Sequence, residues 1–294
     1  MTSQKLSIWF DAARPKTLAA ALVPVMVGAA LAWNDGLFRL DTTTVALFCA
    51  FAIQIGTNFA NDYFDFIKGA DTDDRVGFQR ATATGLISSR AMLTATIITM
   101  GIAFLAGLYL VWIGGFVVLI IGILSLLFGI LYTGGPFPLG YNGLGDLFVF
   151  IFFGFVAVMG TYYVNALEWS MISFWASIPV GALAVNILVV NNLRDIEQDK
   201  MAGKNTLGVM FGETALKIEY IFMAILSFSV LFYFFMLDDF SLWILLPLFS
   251  LPFLFKIVYD IQTNTNKSQL NQTLEQTAQF MILYGILFTA GIII

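Results

Sequence analysis

Charge is what this sequence has least of. Among 294 residues there are 14 Lys or Arg and 19 Asp or Glu, 11% together, against 59% hydrophobic residues and a mean hydropathy of +0.87. An ordinary soluble domain carries roughly 25% charged residues, and a chain this poor in charge cannot cover a globular surface with it. A soluble protein is thereby excluded. Histidine is absent altogether, which excludes His-ligated zinc or haem and any Ser–His or Cys–His nucleophile. The single cysteine, Cys49, lies inside an apolar run, so there is no intrachain disulfide and no thiolate metal cluster. A net charge of −5 without a basic patch gives no footprint for nucleic acid. Carboxylates, amides, Lys/Arg and hydroxyls remain, and hard oxygen donors of that kind favour Mg2+.

What the sequence has in abundance is long apolar runs. At ~20 apolar residues per span, the hydrophobicity predicts nine transmembrane helices in one all-α polytopic domain over residues 1–294. They are placed at about Thr17–Trp33, Val45–Ala60, Ala91–Trp112, Gly114–Leu131, Leu147–Val164, Met171–Val190, Tyr220–Leu237, Phe240–Phe255 and Thr277–Ile294. Trp112-Ile113-Gly114-Gly115 divides a run far too long for one span. The runs do not alternate as transmembrane strands would. A cleavable signal peptide is the rival reading of the first run, with Ala30-Leu31-Ala32 as its cleavage site. The complete polytopic pattern behind it favours a retained helix.

Loop charge predicts the topology. With the N-terminus and every second connection on one side, that side holds 13 of the 14 cations and the other only Arg39. The N-terminus is therefore expected in the cytoplasm and the C-terminus outside. Trp33, Trp112, Trp169 and Trp243 fall near the outer boundary, as an interfacial aromatic belt does. The sequons at Asn266 and Asn271 land on the cytoplasmic side and are set aside.

The acids are concentrated. Five of the 19 fall within Asp62–Asp74 and three within Asp195–Asp199, each group at the cytoplasmic end of an even-numbered span. Their matching places hint at a four-helix pseudo-repeat, about residues 9–132 and 143–262. In the first group Asn58, Asn61, Asp62 and Asp65 are spaced i, i+3, i+4, i+7, one face of a helix. Gly69 can end that helix and let Asp71 turn back. In the second, Asn191 or Asn192, Asp195 and Asp199 share a face while Glu197 points away. Carboxylates one turn apart repel unless something positive lies between them; magnesium does so and leaves sites for phosphate oxygens. Cations able to hold phosphate flank both groups: Lys68, Arg75 and Arg80 at the first, Arg194, Lys200 and Lys204 at the second. Acid, metal and base on an apolar scaffold point to a diphosphate with a lipid tail. A transporter is the rival class, but it would place polar groups near the bilayer midplane, where this chain has only Gln54, Ser125 and Asn186.

The ordered motifs resemble the UbiA superfamily of intramembrane aromatic prenyltransferases, nine-helix proteins whose active site faces the cytoplasm. The resemblance rests on Trp9 with Arg14-Pro15-Lys16-Thr17-Leu18, on Asn61-Asp62-Tyr63-Phe64-Asp65 through Lys68-Gly69-Ala70-Asp71, and on Tyr132-Thr133-Gly134-Gly135-Pro136 with Gly143-Leu144-Gly145-Asp146. Asn191-Asn192-Leu193-Arg194-Asp195 through Asp199, with Gly203-Lys204 and Thr206-Leu207, completes it. Within the superfamily the chain is most similar to the dihydroxynaphthoate polyprenyltransferases of menaquinone synthesis (MenA type). One departure stands in the first loop, where Gly77-Phe78-Gln79-Arg80 replaces the usual Gly-Pro before the second arginine.

The resemblance implies a bacterial plasma-membrane enzyme that moves a polyprenyl group from a prenyl diphosphate to 1,4-dihydroxy-2-naphthoate with loss of carbon dioxide. Other acceptors (4-hydroxybenzoate, homogentisate) and a phytyl donor stay open within the same superfamily. It implies that Asn61, Asp65, Asp71, Asp195 and Asp199, joined by Asp62, form the catalytic acid set, with Asp65, Asp71, Asp195 and Asp199 on Mg2+. Arg14, Lys68, Arg75, Arg80, Arg194 and Lys204 are implied for the diphosphate, and Tyr132, Tyr141 and Asn192 for the acceptor. The implied partners are the two substrates and the lipid bilayer, with no nucleic acid; the oligomeric state stays open.

Overall fold

Apolar length and helix-breaking glycines translate directly into the architecture. The computed structural model describes residues 3–70, 76–77, 80–237, 239–264 and 266–294. Eleven α-helices are joined by short 3-10 and π stretches: α1 Ser3–Ala13, α2 Ala19–Asn34, α3 Leu40–Ile67, α4 Ser89–Leu131, α5 Gly145–Val149, α6 Gly160–Ala166, α7 Met171–Met201, α8 Leu207–Phe211, α9 Glu213–Phe235, α10 Leu251–Thr263 and α11 Leu270–Ile293. A π-helical stretch, Phe150–Met159, fuses α5 and α6 into one rod, and the 3-10 segment Leu242–Ser250 leads into α10.

Among the described residues seven helical stretches are long and apolar enough to cross a membrane, namely α3, α4, the α5–α6 rod, α7, α9, the 3-10 segment with α10, and α11 with the turn before it, and the bent pair Lys5–Thr17 and Ala19–Asn34 makes an eighth. The remaining apolar run is the second half of α4. At ~1.5 Å per residue a straight helix of this length would be roughly twice the ~30 Å hydrocarbon core. It breaks at Gly115, whose φ of 70° and ψ of −154° leave the helical region, a conformation open to glycine because it has no Cβ. The division expected at Trp112–Gly115 is therefore present as a kink. The second half returns alongside the first, and both lie against the cavity described below.

α7 is the most enclosed span and packs against α9, α11, α2 and the π stretch. A Cβ on Gly154 would lie 3.1 Å from the Gly181 Cα, and one on Gly181 would lie 2.8 Å from the Phe150 carbonyl oxygen. Two glycines face to face let these backbones touch, the usual way helices gain packing contacts without a hydrophobic drive between them. At the end expected outside, the Asn165 side-chain oxygen accepts from the Arg39 backbone N–H at 2.7 Å and from the Thr42 and Thr43 hydroxyls, tying the start of α3 to α6. Trp33, Trp112, Trp169 and Trp243 are all exposed, as a belt facing lipid headgroups would be.

Candidate active site

α3 and α7 carry the two acid motifs, and both remain helical past their apolar runs. The i, i+3, i+4, i+7 stripe is inward as expected: Asn58, Asp62 and Asp65 are buried. α3 stops where Gly69 turns to φ +67°, with the Ala70 N–H on the Asp65 carbonyl, the 6→1 bond of a glycine helix terminus. On α7, Asn192, Asp195 and Asp199 are buried and Glu197 is exposed, which matches the face read from the spacing.

These faces open on a cavity of about 420 Å³. Its polar end is lined by Asn58, Asn61 and Asp65 of α3, by Asn191, Asn192, Asp195 and Asp199 of α7, and by Arg14, Arg80, Lys204, Tyr132 and Tyr141. Asp65 is the hub. It accepts the Tyr141 hydroxyl at 2.6 Å and the Arg80 guanidinium at 2.9 Å, and Lys204 Nζ stands 3.5 Å from its Oδ1 and 3.6 Å from Asp199. Lys204 and Lys68 each place Nζ 4.7 Å from the centroid of the Tyr141 ring, a cation–π geometry. The Lys204 ammonium, the Arg80 guanidinium and the Tyr141 phenol thus meet at one carboxylate, with Lys68 sharing the Tyr141 ring. Desolvation pushes the Lys68 ammonium below its ordinary pKa, with Asp65 opposing and Lys204 reinforcing. Tyr132 is pushed upward by burial first, then by the charges of Asp146, Asp199 and Asp65. Its phenol therefore stays a hydrogen-bond donor.

The expected site residues do not all gather at the cavity. Asp62 is buried behind it: its two oxygens accept the backbone N–H groups of Ala81 and Thr82 at 3.1 and 3.0 Å. That shapes the loop carrying Arg80 rather than adding a carboxylate to the acid set. Arg194 also lies outside the cavity wall. Its Nε and Nη2 fork onto Asp195 at 2.6 Å each, Nη2 also donates to Asn191 at 2.8 Å, and Nη1 donates to Asn271 at 2.9 Å. Those bonds consume most of the guanidinium's donors, so Arg194 holds Asp195 instead of facing a diphosphate. Lys68 is exposed and bonds the Thr133 carbonyl at 2.6 Å. Asp71 and Arg75 lie outside the described residues.

Two residues have partners that the sequence did not indicate. Asn271, set aside as a stray sequon, accepts from Arg194 and donates to the Val76 carbonyl at 3.1 Å, linking α11 to the first loop. Thr133 donates to the Asn61 side-chain oxygen at 2.8 Å. No local pattern indicates these bonds, because the partners lie far away in the chain.

Past the polar end the wall turns aromatic. Phe128, Phe148 and Phe152 line it with ring centroids 5.0, 5.5 and 6.2 Å apart. For a divalent cation the available donors are Asp65, Asp195, Asp199 and the Asn61 amide oxygen. Among the described residues no three acids crowd around one point. Magnesium needs one or two carboxylates and keeps its other positions for water and phosphate oxygens.

An all-helical membrane protein with a mostly apolar cavity, polar at one end where paired acid motifs meet, is the class this geometry defines. Comparison makes it specific. The chain belongs to the UbiA prenyltransferase family, whose profile matches residues 21–283. It is 38% identical over 303 residues to the 1,4-dihydroxy-2-naphthoate octaprenyltransferase of Escherichia coli (strain K12), covering 99% of this chain and 98% of that one. Among solved structures, the apo UbiA homolog from Aeropyrum pernix K1 superposes with a TM-score of 0.75 at 14% identity over 94% of this chain and 98% of that one. The UbiA homolog from Archaeoglobus fulgidus bound to DMAPP and Mg2+ gives 0.65 at 17% identity over 96% and 99%.

Proposed function

We propose that this protein transfers a polyprenyl group from a polyprenyl diphosphate to 1,4-dihydroxy-2-naphthoate with loss of carbon dioxide, a prenylation of menaquinone synthesis. One observation carries the reading: Asp65 and Asp199 meet at Lys204 across a cavity that runs from charged to aromatic to aliphatic. The near full-length likeness to naphthoate octaprenyltransferases supports the acceptor, and the A. fulgidus complex supports a magnesium-bound prenyl donor.

One or two of Asp65, Asp195 and Asp199, with the Asn61 amide oxygen beside them, would hold a magnesium ion, which would supply positive charge for the diphosphate. Lys204, Arg80 and Arg14 line the same end and neutralise the charge that builds as the allylic C–O bond breaks and diphosphate leaves with the electron pair. Tyr141 steadies Asp65 through its hydroxyl and draws Lys204 over its ring. Phe128, Phe148 and Phe152 exclude water from the allylic cation and offer it π faces, each of the order of ~0.5–2 kcal/mol. Tyr132, Tyr141 and Asn192 orient the naphthoate, whose carboxylate-bearing carbon forms the new C–C bond. Carbon dioxide then departs, its bonding pair returning to the ring, and the product is the quinol form of demethylmenaquinone. No proton has to be removed from that carbon, which suits a chain without histidine. The 13-to-1 cation asymmetry supports a cytoplasmic position for this end and for the N-terminus, with the C-terminus outside.

Purified protein in nanodiscs, offered 1,4-dihydroxy-2-naphthoate or 4-hydroxybenzoate with a polyprenyl diphosphate and Mg2+, tests the reading. The naphthoate is expected to yield prenylated product and labelled carbon dioxide, and chelator to stop both. Product from hydroxybenzoate alone refutes the acceptor; undiminished turnover in excess chelator refutes the metal.

A further inference from the structure

The stretch from Tyr132 to Asp146 carries five glycines, and backbone conformation accounts for only some of them. Gly135 and Gly143 adopt φ of +77° and +72°, a region that residues with a Cβ rarely enter. Gly140 and Gly145 have no positive φ. Gly145 opens α5, where alanine is the better helix former. Local conformation gives no reason for glycine at either of these two positions.

Space gives one. A Cβ on Gly140 would lie 3.0 Å from Tyr132 Cε1 and 3.3 Å from its Cζ, and one on Gly145 would lie 3.0 Å from the Tyr132 hydroxyl oxygen. One side chain thus occupies the place of both missing methyls. The Gly140 N–H also donates to the Tyr132 carbonyl at 2.9 Å, so the ring is held at its root, its edge and its tip. Leu188 Cδ2 stands 3.4 Å from the same Gly145 position, which brings the hydroxyl up to α7. Leu188 lines the cavity one helical turn from Asn192 and seven residues from Asp195, ~10 Å at ~1.5 Å per residue. The tip of Tyr132 therefore stands where the charged end gives way to the apolar wall.

The two tyrosines on this wall differ in what their hydroxyls have left to donate. That of Tyr141 is spent on Asp65. That of Tyr132 has no hydrogen-bond partner among the described residues, and it is not sealed among the buried unpaired groups. Burial first, then the charges of Asp146, Asp199 and Asp65, keep it protonated. Tyr132 lines the cavity, so its hydroxyl is a donor left open to whatever the cavity holds.

We propose that Gly145 is a positioning residue for the acceptor: its missing Cβ seats the Tyr132 hydroxyl against α7, where the hydroxyl donates to an oxygen of the aromatic acceptor. The inference rests on the naphthoate reading. Gly140 holds the edge of the same ring and fixes its tilt. An alanine at 145 pushes the hydroxyl off its seat by a few tenths of an ångström and leaves the diphosphate end untouched.

The test is a double-mutant comparison on the full chain in nanodiscs, supplied with octaprenyl diphosphate, 1,4-dihydroxy-2-naphthoate and Mg2+. Tyr132→Phe is expected to raise KM for the naphthoate about tenfold through one lost hydrogen bond. Gly145→Ala is expected to raise it about fivefold through misplacement of the same group. KM for the diphosphate should stay unchanged in both. Phenylalanine has no hydroxyl for the new methyl to meet, so Gly145→Ala should add nothing in the Tyr132→Phe background. Gly140→Ala meets ring carbons that phenylalanine keeps, so its effect should persist there. Effects of Gly145→Ala and Tyr132→Phe that multiply overturn the proposal, as does an unchanged KM for the naphthoate or a rise for the diphosphate instead. If Gly145→Ala fails to accumulate in membranes, the double variant, in which the crowding is relieved, should accumulate again; its failure to do so also overturns the proposal. Absence of naphthoate prenylation by the unaltered protein would instead overturn the function on which it rests.

Discussion

The two acid motifs look alike as sequence and are built differently in space. Asp65 on α3 projects into the cavity and collects its partners from elsewhere in the chain: Arg80, Tyr141 and Lys204. Asp195 on α7 is clamped by the adjacent Arg194, which Asn191 and Asn271 lock in turn. Both carboxylates stand on helices, but the first takes its guanidinium from a loop that Asp62 has to shape, and the second takes it from the adjacent residue of its own helix. The same letters thus serve once as the meeting point of a site and once as its anchored wall.

The largest effect should come from the meeting point. Asp65→Asn is expected to lower kcat by ~10²–10³, the usual cost of losing one electrostatic contact at a developing charge, with insertion unchanged. Near-normal turnover in membranes would erase the distinction between the motifs. The next contrast lies between the two cations. Arg194→Ala leaves Asp195 buried without its fork and should cost ~3 kcal/mol of stability, visible as a lower melting temperature in detergent. Lys204→Ala should barely move melting yet raise KM for the prenyl diphosphate about tenfold through a lost charge-assisted contact. If the two variants exchange these signatures, Arg194 faces substrate after all.

Asp62→Asn sharpens the loop side of the comparison. An amide has one acceptor oxygen for the two N–H groups of Ala81 and Thr82, so ~1–2 kcal/mol of stability should be lost. Activity should fall only in part, by displacement of Arg80; complete loss with unchanged melting would return Asp62 to the catalytic acids. Smallest is Asn271→Ala, which removes one acceptor from Arg194 and one tie to Val76. A several-fold loss of turnover is expected from a shift in Asp195, and Asn271→Asp, which keeps the acceptor, should retain most of it.

Most of the helices and both acid faces were legible because they obey local rules. Apolar runs of bilayer length become spans, and positions 58, 61 and 65 share a face by helical period alone. Periodicity could not separate Asp62 from its neighbours, since all four residues are inward and only the 80–82 loop decides which carboxylate it occupies. Lys68 and Arg194 fit a phosphate-binding pattern by proximity in sequence, but their bonds to the Thr133 carbonyl and to Asp195 and Asn271 turn them to supporting work. Among 30 phenylalanines no sequence rule selects Phe128, Phe148 and Phe152, whose rings meet only because α4 doubles back beside the α5–π rod.

By itself the sequence determined that the chain is helical, that it lies in a membrane and that its charge gathers at one end. Those properties follow from hydrophobic length, period and loop charge, each a sum over neighbouring residues. Tertiary structure alone decided which carboxylate is the hub, which arginine is a brace and which aromatic rings line the cavity. Each depends on residues tens of positions apart being brought within a few ångströms, and no local sum contains that.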